Sequence, residues 1–199
     1  NNETGVVPDL DAVAACVRQA GVKWHCDGVQ LAGRAPIDLR GGWGEAVAAL
    51  TLSGHKLHGP KGIGALVLGR GVPFTPLMTG GAQEGGRRAG TENVAGAAGL
   101  AVAAEEASQR LESGAWRGVR GLLNRLRRGL LEAYPGSRVY GDSVRCLPNT
   151  LMVSLCSARG GPQDAWVDGE ELALALAERG VALSTGAACA SGRAEPSHV

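Results

Sequence analysis

Three groups of residues in this 199-residue chain could carry chemistry. Asp27 ends one apolar-rich segment, Ser53, His55 and Lys56 follow another, and Cys189 lies among small residues. Polar groups at the carboxyl ends of parallel strands are where α/β folds bind ligands. Each residue also has a plainer interpretation. Asp27 alone suits a helix cap or a surface acid, Lys56 alone a solvated lysine, and Cys189 alone a small buried hydrophobic residue.

Taken together, these groups suit the chemistry of pyridoxal phosphate. A lysine that forms a Schiff base must sit at a fixed, partly desolvated point, which lowers its pKa toward nucleophilic use, and Lys56 is the candidate. The pyridine nitrogen of the cofactor needs a carboxylate opposite it, which Asp27 can supply, and Gln30 can hydrogen-bond the ring hydroxyl. The candidate phosphate ligands are Ser53, His55 and Thr91.

The segment around Cys189 has the composition of an exposed, flexible loop. Small residues flank the thiol on both sides between residues 183 and 193, and Arg193 lies four positions downstream. A nearby cation and a helix beginning after Pro196 would lower the pKa of the thiol. A mobile thiolate could then reach a bound substrate. The other cysteines are interpreted as structural, with Cys26 set apart because it precedes Asp27 directly.

Competing interpretations of the same residues are weaker. His55 and His58 lack a third metal ligand nearby, so no metal site is expected. The glycine-rich segment 59–64 lacks the residue order of a nucleotide-binding P-loop.

Composition narrows the class of protein. Hydrophobic residues make up 44%, charged residues 20%, and the net charge is +1, so no strong field for nucleic acid or acidic membranes is present. Aromatic residues are only 4%, too few for a base-stacking platform. Five cysteines without a CxxC pair argue against a disulfide framework or zinc ribbon. No signal peptide is visible, and the apolar stretch 94–104 is far shorter than the roughly 20 residues of a membrane span. A reduced, cytoplasmic protein is expected.

The pattern of elements predicts an α/β fold with a largely parallel sheet. A helix from Leu10 should end at Gly21, and Thr91 should cap a long helix that reaches Ser108. Strands are predicted at 22–26, 47–52 and 65–68. A second, α+β unit should contain helices at 115–133 and 169–179 and strands at 138–140, 150–155 and 181–183. The boundary is placed near residue 112, which gives domains 1–112 and 113–199.

The helix predicted at 115–133 is rich in arginine. It suits a solvated helix face or, alternatively, a docking surface. Its arginines are Arg117, Arg120, Arg125, Arg127 and Arg128.

Five motifs in order resemble the cysteine desulfurases, which are pyridoxal phosphate enzymes of the class V aminotransferase family. They are Asn1-Asn2-Glu3-Thr4-Gly5, His25-Cys26-Asp27-Gly28-Val29-Gln30, Ser53-Gly54-His55-Lys56 with Gly59-Pro60-Lys61-Gly62, Arg88-Ala89-Gly90-Thr91-Glu92-Asn93, and the Cys189 loop through Pro196-Ser197-His198. The resemblance spans essentially the whole chain. It implies the aspartate aminotransferase-like fold, with part of the large cofactor-binding domain in 1–112 and part of the small domain, carrying the cysteine loop, in 113–199.

The resemblance also implies roles for individual residues. Lys56 corresponds to the Schiff-base lysine, Asp27 to the partner of the pyridine nitrogen, and Gln30 to the ligand of the ring hydroxyl. Further cofactor ligands would be Asn2, which also contacts the substrate carboxylate, Ser53, His55 and Thr91. Thr91 corresponds to a threonine that reaches the cofactor of a neighbouring subunit, which implies a homodimer.

Cys189 corresponds to the cysteine that takes sulfur from L-cysteine, leaving L-alanine, and carries it as a persulfide. The sulfur would pass to an acceptor protein such as an iron–sulfur cluster scaffold, or into a thiolation pathway.

The chain departs from the family pattern at two glycines and in its extent. Gly28 stands where alanine is usual, and Gly85 where an arginine follows the glutamate. The upstream phosphate loop and stacking ring and the downstream arginine for the substrate carboxylate are not in these 199 residues. An internal fragment, inactive alone, is therefore expected. The alternatives are a selenocysteine lyase or another class V enzyme, and a truncated, non-catalytic acceptor or interaction module with the arginine-rich helix as its docking face.

Overall fold

The computed structural model describes residues 1–141, 145–156 and 166–186. The predictions for the Cys189 loop lie outside the described residues. The chain divides into two compact units, one formed by Pro8–Ala115 and the other by Asn1–Val7 with the described part of Trp116–Val199. The division at residue 115 lies close to the predicted 112, while the first seven residues belong to the second unit. The assignment of 1–112 and 113–199 to a large and a small domain stays a prediction.

The unit Pro8–Ala115 contains a three-stranded sheet and two helices. Its elements are α1 Leu10–Ala20, β1 Trp24–Asp27, β2 Val47–Ser53, β3 Gly64–Leu68 and α2 Val94–Glu112. The strand order is β1-β2-β3, with β1 parallel to β2 and β3 antiparallel to β2. The sheet is therefore mixed, where a largely parallel one was predicted. Residues 54–63 join β2 to β3, and a parallel crossover needs about a dozen residues or more.

The ends of the two helices show which sequence signals act as caps. α1 ends as predicted, because Gly21 adopts a left-handed conformation with φ +64°. The predicted cap of α2, Thr91, is wrong. The side-chain oxygen of Asn93 instead accepts a hydrogen bond from the Gly96 N–H at 2.9 Å, and the helix begins at Val94. Asparagine suits this position because its short side chain reaches the third helical amide.

The buried core of this unit lies directly beneath the Lys56 segment. Ala32, Leu57, Ala103 and Ala107 form its centre, so α2 packs against the short 3₁₀ turn Gly54–Leu57. α2 approaches this segment closely at Gly99, where an added methyl group would lie 2.5 Å from a ring carbon of Pro60. The core thus fixes the backbone that directly follows Lys56.

The second unit is α+β in its described residues, as predicted. It contains α3 Trp116–Ala133, the antiparallel strands β4 Arg138–Tyr140 and β5 Met152–Ser154, and α4 Gly169–Ala177. The strand predicted at 181–183 is wrong, since these residues have no regular secondary structure. The amide of Val181 donates to the carbonyl of Leu176 at 2.9 Å, so this segment begins by closing the end of α4.

Two general findings bear on function. The guanidinium of Arg120 in α3 donates to the Cys146 carbonyl at 2.8 Å, so one arginine of this helix has an internal role. None of the helices in the described part of the chain is long and apolar enough to cross a membrane.

Candidate active site

The sheet brings Asp27 and the Lys56 segment to the same edge. Asp27, the last residue of β1, is in register with Thr51 of β2, and the Gly28 amide donates to the Thr51 carbonyl at 3.1 Å. β2 ends at Ser53, and Lys56 follows in the 3₁₀ turn. Because β1 and β2 are parallel, the residues at both carboxyl ends meet at one edge, which is where α/β folds place ligand sites.

The Asp27 carboxylate is held by the turn that follows it. Its Oδ1 accepts a hydrogen bond from the Val29 N–H at 3.0 Å. The side chain is exposed, and within the described ranges its second oxygen has no hydrogen-bond partner. Gln30 is half-buried in the same turn. The turn therefore presents two groups that could bind a ligand, the fixed carboxylate of Asp27 and the side-chain amide of Gln30.

Ser53 and His55 form a polar pair just before Lys56. Ser53 Oγ and His55 Nδ1 lie 2.8 Å apart, within hydrogen-bonding distance. Lys56 itself is half-buried, and among the described residues its ammonium group has no ion pair or hydrogen bond. A hydroxyl, an imidazole and an uncommitted amine thus lie within four consecutive residues at the sheet edge.

The turn that carries Lys56 is held closed by backbone hydrogen bonds. The Gly54 amide donates to the Ile63 carbonyl and the Gly59 amide to the Gly54 carbonyl, each at 2.9 Å. A methyl group at Gly54 would lie 2.8 Å from Ile63 Cγ2 and 3.0 Å from the Pro60 carbonyl. Glycine is required here because the two sides of the turn approach so closely, and the position of Lys56 depends on that closure.

The geometry of this edge does not test three further predicted site residues. Asn2 is exposed and belongs to the unit that contains α3. Thr91 is exposed and lies two residues before the cap of α2. Cys189 lies outside the described residues. The roles of these three residues stay predictions.

Sequence reasoning missed Arg34. Its Nη1 donates to the Gln30 carbonyl at 3.0 Å and its Nη2 to the Lys56 carbonyl at 3.3 Å. A cation four residues after Gln30, in the otherwise apolar run 31–37, was the available signal.

A second missed contact lies on the strand face of Asp27. His25 precedes Asp27 by two residues, so both side chains share one face of β1. The His25 Nε2 lies 3.2 Å from Thr51 Oγ1. This contact ties β1 to β2 next to the pair formed by Asp27 and Thr51. The alternation of polar side chains at 25 and 27 was the signal for it.

Burial raises the pKa of the Cys26 thiol, and the adjacent Asp27 carboxylate raises it further. The thiol is therefore protonated at neutral pH. Since the thiolate is the reactive form, Cys26 is poorly suited to nucleophilic attack.

We predict that Cys26 reacts slowly with iodoacetamide at neutral pH and that the midpoint of its rate–pH profile lies above about 8.5, the midpoint of an ordinary thiol. The rate constant can be followed by mass spectrometry of the peptide that contains Cys26. Cys16, which is exposed, controls for reagent quality and unfolding. A midpoint for Cys26 at or below the pKa of an ordinary thiol would contradict this assignment.

The departure from the family pattern at Gly28 has a packing explanation. A methyl group on Gly28 would lie 2.6 Å from Leu50 Cδ1, and Leu50 is only 2% exposed. A buried leucine has little room to move away. Glycine at position 28 therefore leaves the space that the buried Leu50 side chain of β2 needs.

We predict that Gly28→Ala lowers the free energy of unfolding by about 1–3 kcal/mol, the usual cost of overpacking. Urea denaturation measures this loss. The same substitution made in a Leu50→Val variant should cost less, because the shorter side chain leaves room for the added methyl group. Gly121→Ala in α3 is the matched control, because among the described atoms nothing lies within 4 Å of the added methyl group. That control should be neutral or stabilise the helix by up to about 1 kcal/mol. An equal loss for Gly28→Ala in both backgrounds would show that Leu50 is not the obstacle.

Gly85 is also explained by the local backbone. It adopts φ +62°, a left-handed conformation that favours glycine, and Glu84 before it has φ +52°. An arginine at position 85 would be strained in this turn.

The class of protein follows from comparison with known sequences. The aminotransferase class-V family model matches residues 1–199. The chain therefore belongs to the class V aminotransferase family. It is 46% identical over 199 residues to a cysteine desulfurase of Gluconacetobacter diazotrophicus, covering all of this chain and 46% of that protein. It is 44% identical to the cysteine desulfurase NifS of Azotobacter vinelandii, again over 100% of this chain and 46% of that protein.

Solved structures place the fold among the NifS-like proteins. The NifS-like protein of Rickettsia africae matches with a TM-score of 0.82 and 28% identity, over 94% of this chain and 48% of that one. A second NifS-like protein matches with a TM-score of 0.81 and 35% identity, over 93% and 47%. The predicted α/β fold class is confirmed, with a mixed sheet in place of the largely parallel one. The chain spans about half the length of the relatives it matches.

Proposed function

We propose that this chain contributes to a pyridoxal phosphate-dependent cysteine desulfurase, which converts L-cysteine to L-alanine and passes the sulfur on as a persulfide of Cys189. The observation that carries the proposal is the parallel pairing of β1 with β2, which places Asp27 and the Lys56 turn at one sheet edge. The motif resemblance and the identity to cysteine desulfurases support it.

The donor set at this edge fits pyridoxal phosphate. The Asp27 carboxylate suits a protonated ring nitrogen, Gln30 suits the ring hydroxyl, and Lys56 supplies an amine without an ion pair among the described residues. The hydrogen-bonded pair Ser53 and His55 suits a phosphate group. By contrast, no cluster of three or more possible metal ligands occurs in the described ranges.

When bound, pyridoxal phosphate withdraws electron density from the α-carbon of an amino acid. Lys56 would hold the cofactor through its amine and then take up and return the substrate's α-proton at Nζ. The Asp27 carboxylate would keep the ring nitrogen protonated.

The Sγ thiolate of Cys189 would attack the sulfur of the substrate. An S–S bond forms while the Cβ–S bond of the substrate breaks, and Cβ takes up a proton. The products are L-alanine and a Cys189 persulfide, so all atoms of L-cysteine are accounted for and no external oxidant is needed.

The direct test is alanine formation by the complete gene product supplied with pyridoxal phosphate, L-cysteine and a thiol reductant. Alanine and sulfide should appear in equal amounts. Cofactor uptake without alanine would reject the proposed reaction, and a much faster release from L-selenocysteine would move the assignment to a selenocysteine lyase.

We further propose that the protein acts as a homodimer, with Thr91 near the cofactor of the second subunit. The segment leading to Thr91 carries exposed apolar side chains, including Leu77 at 97% exposure and Met78. Such a patch suits a protein interface. The sulfur acceptor would be a protein such as an iron–sulfur cluster scaffold. The four described cysteines are free thiols, which suits a reducing compartment such as the cytoplasm.

A further inference from the structure

We propose that Arg34 is a positioning residue that sets the spacing between the Gln30 turn and the Lys56 turn. The inference rests on the proposed function, in which Gln30 binds the ring hydroxyl of the cofactor and Lys56 holds the cofactor through its amine. Arg34 would keep these two residues at one fixed separation. Arg34 lies outside the five motifs that resemble the family.

The geometry of the guanidinium group is that of a clamp. One terminal nitrogen donates to the Gln30 carbonyl at 3.0 Å and the other to the Lys56 carbonyl at 3.3 Å. Both acceptors are backbone atoms, so each bond restrains a peptide and not a mobile side chain. The planar guanidinium holds its donors in a rigid fork, which a lysine ammonium cannot reproduce. The two peptides are therefore linked through one stiff group.

The surroundings of Arg34 distinguish it from an ordinary surface arginine. The residue is half-buried, and within the described part of the chain no carboxylate pairs with it. Its Nε is buried without a hydrogen-bond partner among those residues. Burial lowers the pKa of the guanidinium, which still stays charged at neutral pH. Holding a cation here costs free energy, and the two carbonyl contacts are what offset it.

The clamp also acts on a segment that the rest of the fold already restrains. Leu57, next to Lys56, is 6% exposed in the core, and Leu31, next to Gln30, is buried as well. The core fixes these neighbours from below, while Arg34 fixes the carbonyls of the site residues themselves. Loss of Arg34 should therefore loosen the site more than it unfolds the unit.

The test uses Arg34→Met, which keeps the aliphatic stem, and Arg34→Lys, which keeps the charge but not the fork, both in the complete gene product. Arg70→Met, an exposed arginine in the same unit, is the matched control. Hydrogen exchange is measured first without cofactor. Peptides covering 28–35 and 53–59 should exchange faster in Arg34→Met, and those of α1 should not change.

Pyridoxal phosphate affinity is then measured from the visible absorption band. We expect it to fall roughly tenfold or more in Arg34→Met, since contacts of a charged donor are lost, and by a smaller factor in Arg34→Lys. Arg70→Met should match the wild type. A purely structural role would lower the unfolding temperature and leave the cofactor affinity of the folded protein unchanged.

Two outcomes overturn the inference in distinguishable ways. If the wild type binds the cofactor and both Arg34 variants show its affinity, spectrum and exchange, Arg34 does not position the site, while the proposed function stands. If the wild type never takes up pyridoxal phosphate, the proposed function fails and the inference fails with it. Should Arg34→Met not fold, the intermediate affinity expected of Arg34→Lys decides the case, and wild-type affinity there rejects the clamp.

Discussion

Lys56→Ala should abolish the visible absorption of bound pyridoxal phosphate and lower alanine formation from L-cysteine by at least about 10²–10⁴-fold. Loss of a positioned group that transfers protons alone accounts for a decrease of this size. Loss of the amine that holds the cofactor should lower the rate of alanine formation further. The substitution leaves the turn intact, because closure depends on Gly54, Gly59 and the neighbouring Leu57. Absorption spectra and an alanine assay measure both effects.

Lys23→Ala is the control for this variant. Lys23 is exposed, lies just before β1 and belongs to the same unit. It should keep both the absorption band and the rate. A Lys56→Ala variant that forms alanine at the rate of the Lys23 variant would remove Lys56 from the reaction.

Cys189→Ser should separate cofactor binding from sulfur transfer. The absorption band should persist, because the cofactor ligands of β1 and of the Lys56 turn are unchanged. Sulfide release should fall by more than roughly 10³-fold, a conservative bound because removing a catalytic nucleophile can cost about 10⁶-fold in kcat. A hydroxyl cannot accept the sulfur of the substrate as a stable persulfide.

Cys16→Ser serves as the matched cysteine control, since Cys16 is exposed in α1. It should behave as the wild type in both assays. Full sulfide release by Cys189→Ser would assign the sulfur carrier to another thiol. The high pKa of Cys26 makes that cysteine a poor replacement.

The features that sequence predicted well are those that short-range chemistry determines. Gly21 ends α1 in a left-handed conformation, which glycine adopts without steric cost because it has no side chain. β1 and β2 each end in a polar residue, and their parallel pairing brings Asp27 beside the Lys56 turn. Motif resemblance alone would place these residues in a family. The register with Thr51 gives the physical reason why they meet.

The features that sequence did not predict depend on contacts distant along the chain or on a choice between equivalent signals. Thr91 and Asn93 are both good caps, and only the reach of Asn93 to Gly96 decides between them. The antiparallel direction of β3 follows from the short connection after Ser53. Arg34 reaches Lys56 across 22 positions, so the local signal, a cation in an apolar run, could single out Arg34 but not its partner.

The central claim is that Lys56 binds pyridoxal phosphate at the edge shared with Asp27. The chain has three lysines, at 23, 56 and 61, so chemical trapping can tell them apart. The complete gene product is loaded with pyridoxal phosphate, reduced with borohydride, digested and mapped by mass spectrometry. The pyridoxyl group should be found on the peptide containing Lys56 and should be absent after Lys56→Ala. Its appearance on Lys23, on Lys61 or on no lysine of this chain would contradict the account.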